Sequence, residues 1–150
     1  MLKIVGVLAV QGDFKEHIEA LNELEGVEAR PVKTREQIQA CDALVIPGGE
    51  STTIGKLMER FELDKPVREM VEAGKPVFAI CHAPWVLIEA DVVRGRKVTS
   101  FPSLQTDLVN AGAEWVDSEL VSDDGVFTSR RPDDLPAFCE AIVGAARGAA

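Results

Sequence analysis

Short, solid runs of apolar residues, each ending at a turn and each followed by a stretch of helical periodicity, constrain this chain more than any other feature. The run Ile4 to Val10 gives way to Gln11-Gly12-Asp13, and then Phe14, Ile18, Leu21 and Leu24 recur at helical spacing up to Gly26. Val27 to Lys33 reads as a short strand, Thr34 with Gln37 as a capping box over a brief helix, and Ala43 to Ile46 as a buried strand ending at Pro47-Gly48-Gly49. A helix through Ile54, Leu57, Met58 and Phe61 follows. Asp64 is expected to cap another, with Pro66 in its first turn and Gly74 closing it before the strand Pro76 to Ile80. The helix after Cys81 runs to about Ala90. Lys97 to Phe101 is predicted as a further strand, ahead of a helix through Leu104, Leu108 and Ala111 that stops at Gly112. Trp115 to Val121 and Val126 to Ser129 are predicted to pair as a hairpin about Ser122-Asp123-Asp124-Gly125, and a last helix begins after Asp134 with Phe138, Ile142 and Val143 facing inward.

Strands that read as unbroken apolar runs are buried on both faces, and strands that alternate with helices pair in parallel. The expected fold is therefore an α/β three-layer sandwich with a mostly parallel sheet of about five core strands and the late hairpin at an edge. A length of 150 residues fits a single domain over 1–150. Ligands of such sheets sit outside the carboxyl ends of the strands, which directs attention to the turns after Val10, Ile46, Ile80 and Phe101.

Composition narrows the partners. The 16 Lys and Arg residues against 25 Asp and Glu leave a formal charge of −9, which opposes capture of nucleic acid or an anionic membrane surface. No apolar run approaches the roughly 20 residues of a membrane helix, and Met1-Leu2-Lys3 ahead of the first run lacks a small-x-small cleavage site downstream. The three cysteines, Cys41, Cys81 and Cys139, are odd in number and form no CxxC, so neither a disulfide framework nor a zinc site is indicated and reduced thiols in a cytoplasm are expected. Two histidines, His17 and His82, with scattered carboxylates supply no metal-ligand set, and no cofactor is expected. His17 reads as a surface or half-buried residue of the first helix. Arg94, Arg96 and Lys97, and likewise Arg130-Arg131, read as loop charges or ion-pair partners rather than phosphate sites.

Chemistry concentrates at two strand ends. Phe78-Ala79-Ile80-Cys81-His82-Ala83-Pro84-Trp85 puts a cysteine where an apolar strand turns into a helix, the setting of a nucleophile elbow. The helix start also favours the thiolate of such a residue. Position alone leaves a buried structural cysteine open; for Cys41 and Cys139 the structural reading is preferred. Gly48-Gly49-Glu50-Ser51-Thr52-Thr53 is a second strand-end loop, whose glycines let a ligand approach the backbone; alone it suits a phosphate or carboxylate site as well as an oxyanion hole.

These residues resemble two families. Leu8-Ala9-Val10-Gln11-Gly12-Asp13-Phe14, Ile46-Pro47-Gly48-Gly49-Glu50-Ser51-Thr52-Thr53 and Gly74-Lys75-Pro76, within residues 1 to about 80, resemble the glutaminase subunits of pyridoxal phosphate synthases, which are class I glutamine amidotransferases. From about Lys75 onward, Ala79-Ile80-Cys81-His82-Ala83-Pro84, Gly95-Arg96-Lys97-Val98-Thr99-Ser100, Asn110-Ala111-Gly112-Ala113-Glu114-Trp115 and Thr128-Ser129-Arg130-Arg131-Pro132 resemble the ThiJ/PfpI family of amidases, proteases and stress proteins. Both families imply a flavodoxin-like fold of the class I glutamine amidotransferase-like superfamily with the cysteine elbow in one place. The change of resemblance near residues 75–81 implies a recombined or engineered hybrid, the alternative being one natural, divergent member of the superfamily.

The first resemblance implies that Gly48, Gly49, Glu50 and Ser51 hold substrate and supply oxyanion N–H groups, with Gln11 beside them. Its His-Pro-Glu motif is missing, because the chain has only His17 and His82. The second implies Cys81 as nucleophile and His82 as base, with Glu16 the nearest candidate for the acid of the first helix; the His82 ring could equally be a helix-start residue whose amide does the work. Together they imply a cysteine-dependent hydrolase or amidase for a small-molecule carbonyl or amide substrate, acting as a monomer or homodimer without a stable synthase complex. The alternative is a hybrid scaffold with a reactive thiol and little turnover.

Overall fold

A computed structural model describes residues 3–8, 18–19, 21–23, 26–47 and 62–146. Eight strands are present among them: β1 Lys3–Leu8, β2 Val27–Val32, β3 Ala43–Ile46, β4 Val77–Ile80, β5 Lys97–Val98, β6 Glu114–Trp115, β7 Val121–Asp123 and β8 Val126–Ser129. The α-helices are α1 Arg35–Gln39, α2 Asp64–Glu72, α3 Pro84–Glu89, α4 Gln105–Asn110 and α5 Leu135–Ala146, and 3₁₀ turns cover Pro102–Leu104 and Pro132–Asp134. Ile18, Glu19, Leu21 and Asn22 are also helical. None of these helices is long and apolar enough to cross a membrane.

The main sheet has the order β2-β1-β3-β4-β8-β7. Its first five strands run parallel, and β7 closes the edge antiparallel to β8. This is the flavodoxin-like sheet expected, with one exchange of strands. Lys97–Val98 is not its fifth parallel strand; it pairs with β6 in a separate two-stranded sheet, and β8 of the hairpin takes the fifth place beside β4. Beyond Val98 the β-branched run leaves the ladder because a side chain intervenes: Thr99 N–H donates to Thr128 Oγ1 at 2.8 Å and Phe101 N–H to the Cys81 carbonyl at 2.8 Å.

Alternation along the strands builds a core on each face. Val77 and Ala79 of β4 join Leu44 and Ile46 of β3 under Val67 and Met70 of α2 and Val86 and Leu87 of α3. Phe78 and Ile80 join Val45, Val5 and Val7 on the opposite face with Leu21, Phe138 and Ile142. Phe78 stacks on Phe127 with ring centroids 4.5 Å apart and meets Phe138 edge-on at 6.1 Å. Val143, expected to face inward with Phe138 and Ile142, is half-buried.

Local signals set the boundaries. Thr34 and Gln37 form the reciprocal capping box expected at α1. Asp64, by contrast, is the first helical residue of α2 rather than its cap; Leu63 occupies the cap position without a side-chain hydrogen bond and is fully buried, so apolar packing fixes this helix start. Asp124 and Gly125 join β7 to β8 with φ of +48° and +85°, the two left-handed residues a tight hairpin with native twist requires. Trp115 belongs to β6, so the hairpin strand begins at Val121 rather than at Trp115.

Gly6 of β1 has no room for a side chain: a Cβ there would lie 2.6 Å from Cys41 Sγ and 3.2 Å from both methyls of Val32. Gly6→Ala should destabilise the fold by about 1–3 kcal/mol through overpacking. In a Cys41→Ala background the loss should be smaller, as read from urea midpoints in a double-mutant cycle; strictly additive losses would show that the crowding is relieved elsewhere.

Candidate functional site

Strand β4 carries the site. All four of its residues are buried, so its direction and register are fixed by β3 on one side and β8 on the other. At its end Cys81 adopts φ +65°, a left-handed conformation that costs a non-glycine residue about 1–2 kcal/mol. Two long-range backbone bonds hold it there: Cys81 N–H donates to the Ser129 carbonyl at 3.1 Å, and the Cys81 carbonyl accepts from Phe101 N–H at 2.8 Å. The chain then turns into α3 through Ala83 N–H to the Ile80 carbonyl at 3.0 Å and Trp85 N–H to the His82 carbonyl at 3.1 Å, with Pro84 in the first turn. This is the strand-to-helix elbow expected from the sequence.

His82 lies alongside. Its Nδ1 is 3.5 Å from Cys81 Sγ, its Nε2 is 3.4 Å from Ser103 Oγ, and its ring meets that of Phe101 at a centroid distance of 4.7 Å. The ring thus lies against the sulfur on one side and the Ser103 hydroxyl on the other. Ser103 and Phe101 come from the segment misread as strand and helix start, and Ser129 from the end of β8. Only the attention due to the turn after Phe101 could have pointed to them. Gln11, Glu16, His17, Gly48, Gly49, Glu50 and Ser51 lie outside the described residues.

Four hydroxyl residues, Thr99, Ser100, Thr128 and Ser129, are fully buried around this strand end. Ser100 Oγ accepts from Trp115 Nε1 at 3.0 Å and donates to the Phe101 carbonyl at 2.8 Å. The turn after β8 is clamped by Arg130, whose backbone N–H and Nε reach Asp134 Oδ2 at 2.9 and 3.0 Å and whose Nη1 reaches Asp117 at 2.8 Å. Burial alone would raise the Asp134 carboxyl, yet the side-chain and backbone hydrogen bonds of Arg130 overturn that and hold it below the ordinary carboxylate range. Arg94 and Arg96 likewise find Asp91 and Asp124, as loop charges should. A cavity of about 330 Å³ lined by Arg68, Glu72, Asp91, Arg94 and Arg96 shares no residue with the surroundings of Cys81.

The other thiols differ in setting. Cys41 is buried, donates to the Gln37 carbonyl at 3.3 Å, and burial pushes its pKa up; burial does the same at Cys139 on α5. Among the described residues no His, Cys, Asp and Glu side chains converge as a metal-ligand set.

Two outcomes follow from this geometry. Cys81→Gly should be more stable than Cys81→Ala by about 1 kcal/mol in urea denaturation, since glycine alone tolerates the left-handed backbone; equal stability would mean the loop relaxes. Asp134 binds its proton less tightly folded than unfolded, so its contribution is complete above the ordinary carboxylate value, near pH ~4, and is lost as pH falls through the lower folded value. The urea midpoints of wild type and Asp134→Asn should therefore converge on acidification below pH ~4, and a gap that stays constant would remove Asp134 from the acid response.

Known proteins are similar to this chain in sequence and in fold. The sequence pattern of the DJ-1/PfpI family matches residues 5–145, a span that includes residues 75–81. The pyridoxal 5'-phosphate synthase subunit PdxT of Hyperthermus butylicus is 57% identical over 95 residues, which are 63% of this chain and 46% of that protein. Protein/nucleic acid deglycase 2 of Escherichia coli is 53% identical over 98 residues, 65% of this chain and 56% of that protein. The chain thus spans about half the length of these two relatives. The crystal structure of Drosophila melanogaster DJ-1β superposes with a TM-score of 0.82 at 25% identity, covering 99% of this chain and 92% of that one. A match through nearly the whole sequence, joined to a cysteine elbow on a parallel sheet of this order, makes the chain a member of the DJ-1/PfpI family.

Proposed function

We propose that the protein is a cysteine-dependent hydrolase or amidase for a small carbonyl or amide substrate. The observation that carries this reading is Cys81, held at φ +65° at the end of a buried strand with its Sγ 3.5 Å from His82 Nδ1. In the proposed reaction His82 Nδ1 takes the thiol proton as Sγ bonds to the carbonyl carbon, and the C=O electron pair moves to oxygen. The His82 amide and, on the family resemblance, the Gly49 amide stabilise that oxyanion, with Gln11, Glu50 and Ser51 holding substrate and Glu16 as the candidate acid. Collapse breaks the bond to the leaving group, which receives the proton from His82. Water then gives a proton to His82 and attacks the thioester, and release of the acid restores the thiol.

Three cysteines outside disulfides suit a reducing, cytoplasmic setting for this chemistry. The whole chain is read as one domain, working as a monomer or symmetric homodimer without a stable synthase complex. A second reading, a hybrid scaffold with a reactive thiol and little turnover, draws support from one observation: among the described residues His82 Nε2 meets a serine rather than a carboxylate.

Rates on glutamine, small esters and α-oxoaldehydes, for wild type and Cys81→Ala, separate these readings. The hydrolase reading expects turnover of at least one substrate, reduced by a factor of about 10³ or more in the variant; activity that survives in Cys81→Ala removes Cys81 from the mechanism. Iodoacetamide at neutral pH with peptide mapping should modify Cys81 before Cys41 and Cys139, both disfavoured by burial. Labelling of Cys81 only after denaturation would make it a structural cysteine.

A further inference from the structure

We propose that Ser103 is the positioning residue of the Cys81–His82 pair, fixing the tautomer and orientation of His82 through its hydroxyl. The inference rests on the reading of Cys81 and His82 as the reactive pair. It begins from a requirement of imidazole chemistry: a neutral ring that accepts a proton at Nδ1 must carry its own proton on Nε2, and that N–H needs an acceptor. Ser103 Oγ, 3.4 Å from Nε2, is placed to be that acceptor. The separation is long, as catalytic hydrogen bonds often are before substrate binds.

Nε2–H donates to Oγ in the neutral ring and continues to do so once Nδ1 has taken the thiol proton. One hydroxyl therefore serves both states of the pair, and a ring flipped by 180° would lose Ser103 and the sulfur together. The Phe101 ring, tilted by 39° with its centroid 4.7 Å away, packs against the imidazole and limits its rotation.

The position of Ser103 is not incidental to the loop that carries it. It sits in the 3₁₀ turn Pro102–Leu104, closed by Leu104 N–H to the Phe101 carbonyl at 3.0 Å and anchored by the buried Leu104 side chain. Phe101 N–H in turn holds the Cys81 carbonyl at 2.8 Å. The same short segment thus clamps the nucleophile's backbone and supplies the hydroxyl for its histidine. A serine at this place is a neutral acceptor, so it orients the imidazolium without stabilising it as strongly as a carboxylate would.

Long-range ¹H–¹⁵N spectra of the imidazoles, of which the chain has two, read the tautomer directly. His82 should carry its proton on Nε2 in wild type, lose that preference in Ser103→Ala, and regain it in Ser103→Thr, which keeps the hydroxyl. Ser103→Ala should also slow iodoacetamide labelling of Cys81 at pH 7 about fivefold and move its pH profile upward, the effect of one neutral hydrogen bond, with Ser103→Thr restoring both. Thermal melts establish that each variant is folded. An Nδ1–H tautomer in wild type, an unchanged tautomer in Ser103→Ala, or failure of the folded Ser103→Thr to restore the signal overturns the proposal. A Cys81 that labels no faster than Cys41 and Cys139, beside the expected tautomer response, instead defeats the reactive-pair reading and leaves the orienting role of Ser103 standing.

Discussion

The backbone of Cys81 is the constraint on which the remaining geometry of the site depends. A left-handed residue at the end of a buried strand persists only where its surroundings over-determine it, and here they do so from two directions. Ser129 accepts its N–H and Phe101 donates to its carbonyl, while four buried residues of β4 forbid the strand to slide or twist away. Because β4 lies between β3 and β8, a shift at Cys81 would have to break pairing on both sides. The local strain of about 1–2 kcal/mol is small against that pairing. It also ends the alternation of the strand at the cysteine, whose side chain packs at the margin of the Phe78 and Phe138 core with Sγ 3.5 Å from the adjacent imidazole.

What the sequence made legible follows from how local each rule is. The capping box of α1 needs only Thr34 and Gln37, the β7–β8 turn only Asp124 and Gly125, and the buried strands β3 and β4 only their unbroken apolar character. The Cys81 elbow belongs with these, because a cysteine directly after such a strand and before Pro84 can be read from neighbours alone. Where tertiary contacts compete with local propensity, the reading failed. Lys97 to Phe101 is β-branched and apolar enough for a strand, but the hydroxyl of Thr128 takes the Thr99 N–H that a ladder would have used. Asp64 has the chemistry of a cap, yet the fully buried Leu63 holds that position.

The candidate site divides along the same line. Cys81 and His82 are adjacent in sequence and were visible as a pair. Ser103, Phe101 and Ser129 are separated from them by whole elements, and nothing in a serine's neighbours announces that it will face a particular imidazole. The strand order matters as well, since the hairpin at the sheet edge joins through β8 rather than through β7. The parallel pairing of β4 with β8, which sets Ile80 opposite Ser129, is what brings them together.

Stability and chemistry are therefore balanced within a small volume. Thr99, Ser100, Thr128 and Ser129 are fully buried beside the elbow, and the side-chain oxygens of Thr99 and Ser129 find no hydrogen-bond partner among the described residues. An unsatisfied buried hydroxyl costs about 1–3 kcal/mol, so a sequence selected for stability alone would place apolar side chains at these two positions. Hydroxyls here instead keep polar groups close to a strand end whose backbone is already fully committed, in Cys81 N–H to Ser129 and in Phe101 N–H to Cys81. The compensation is supplied next door, where Arg130 ties the end of β8 to Asp134 and Asp117. A strand end whose backbone is held by Ser129 and Phe101 beside the Arg130 charge clamp, with two buried hydroxyls unpaired among the described residues, is fixed in its backbone while it keeps side-chain hydrogen-bonding capacity next to Cys81.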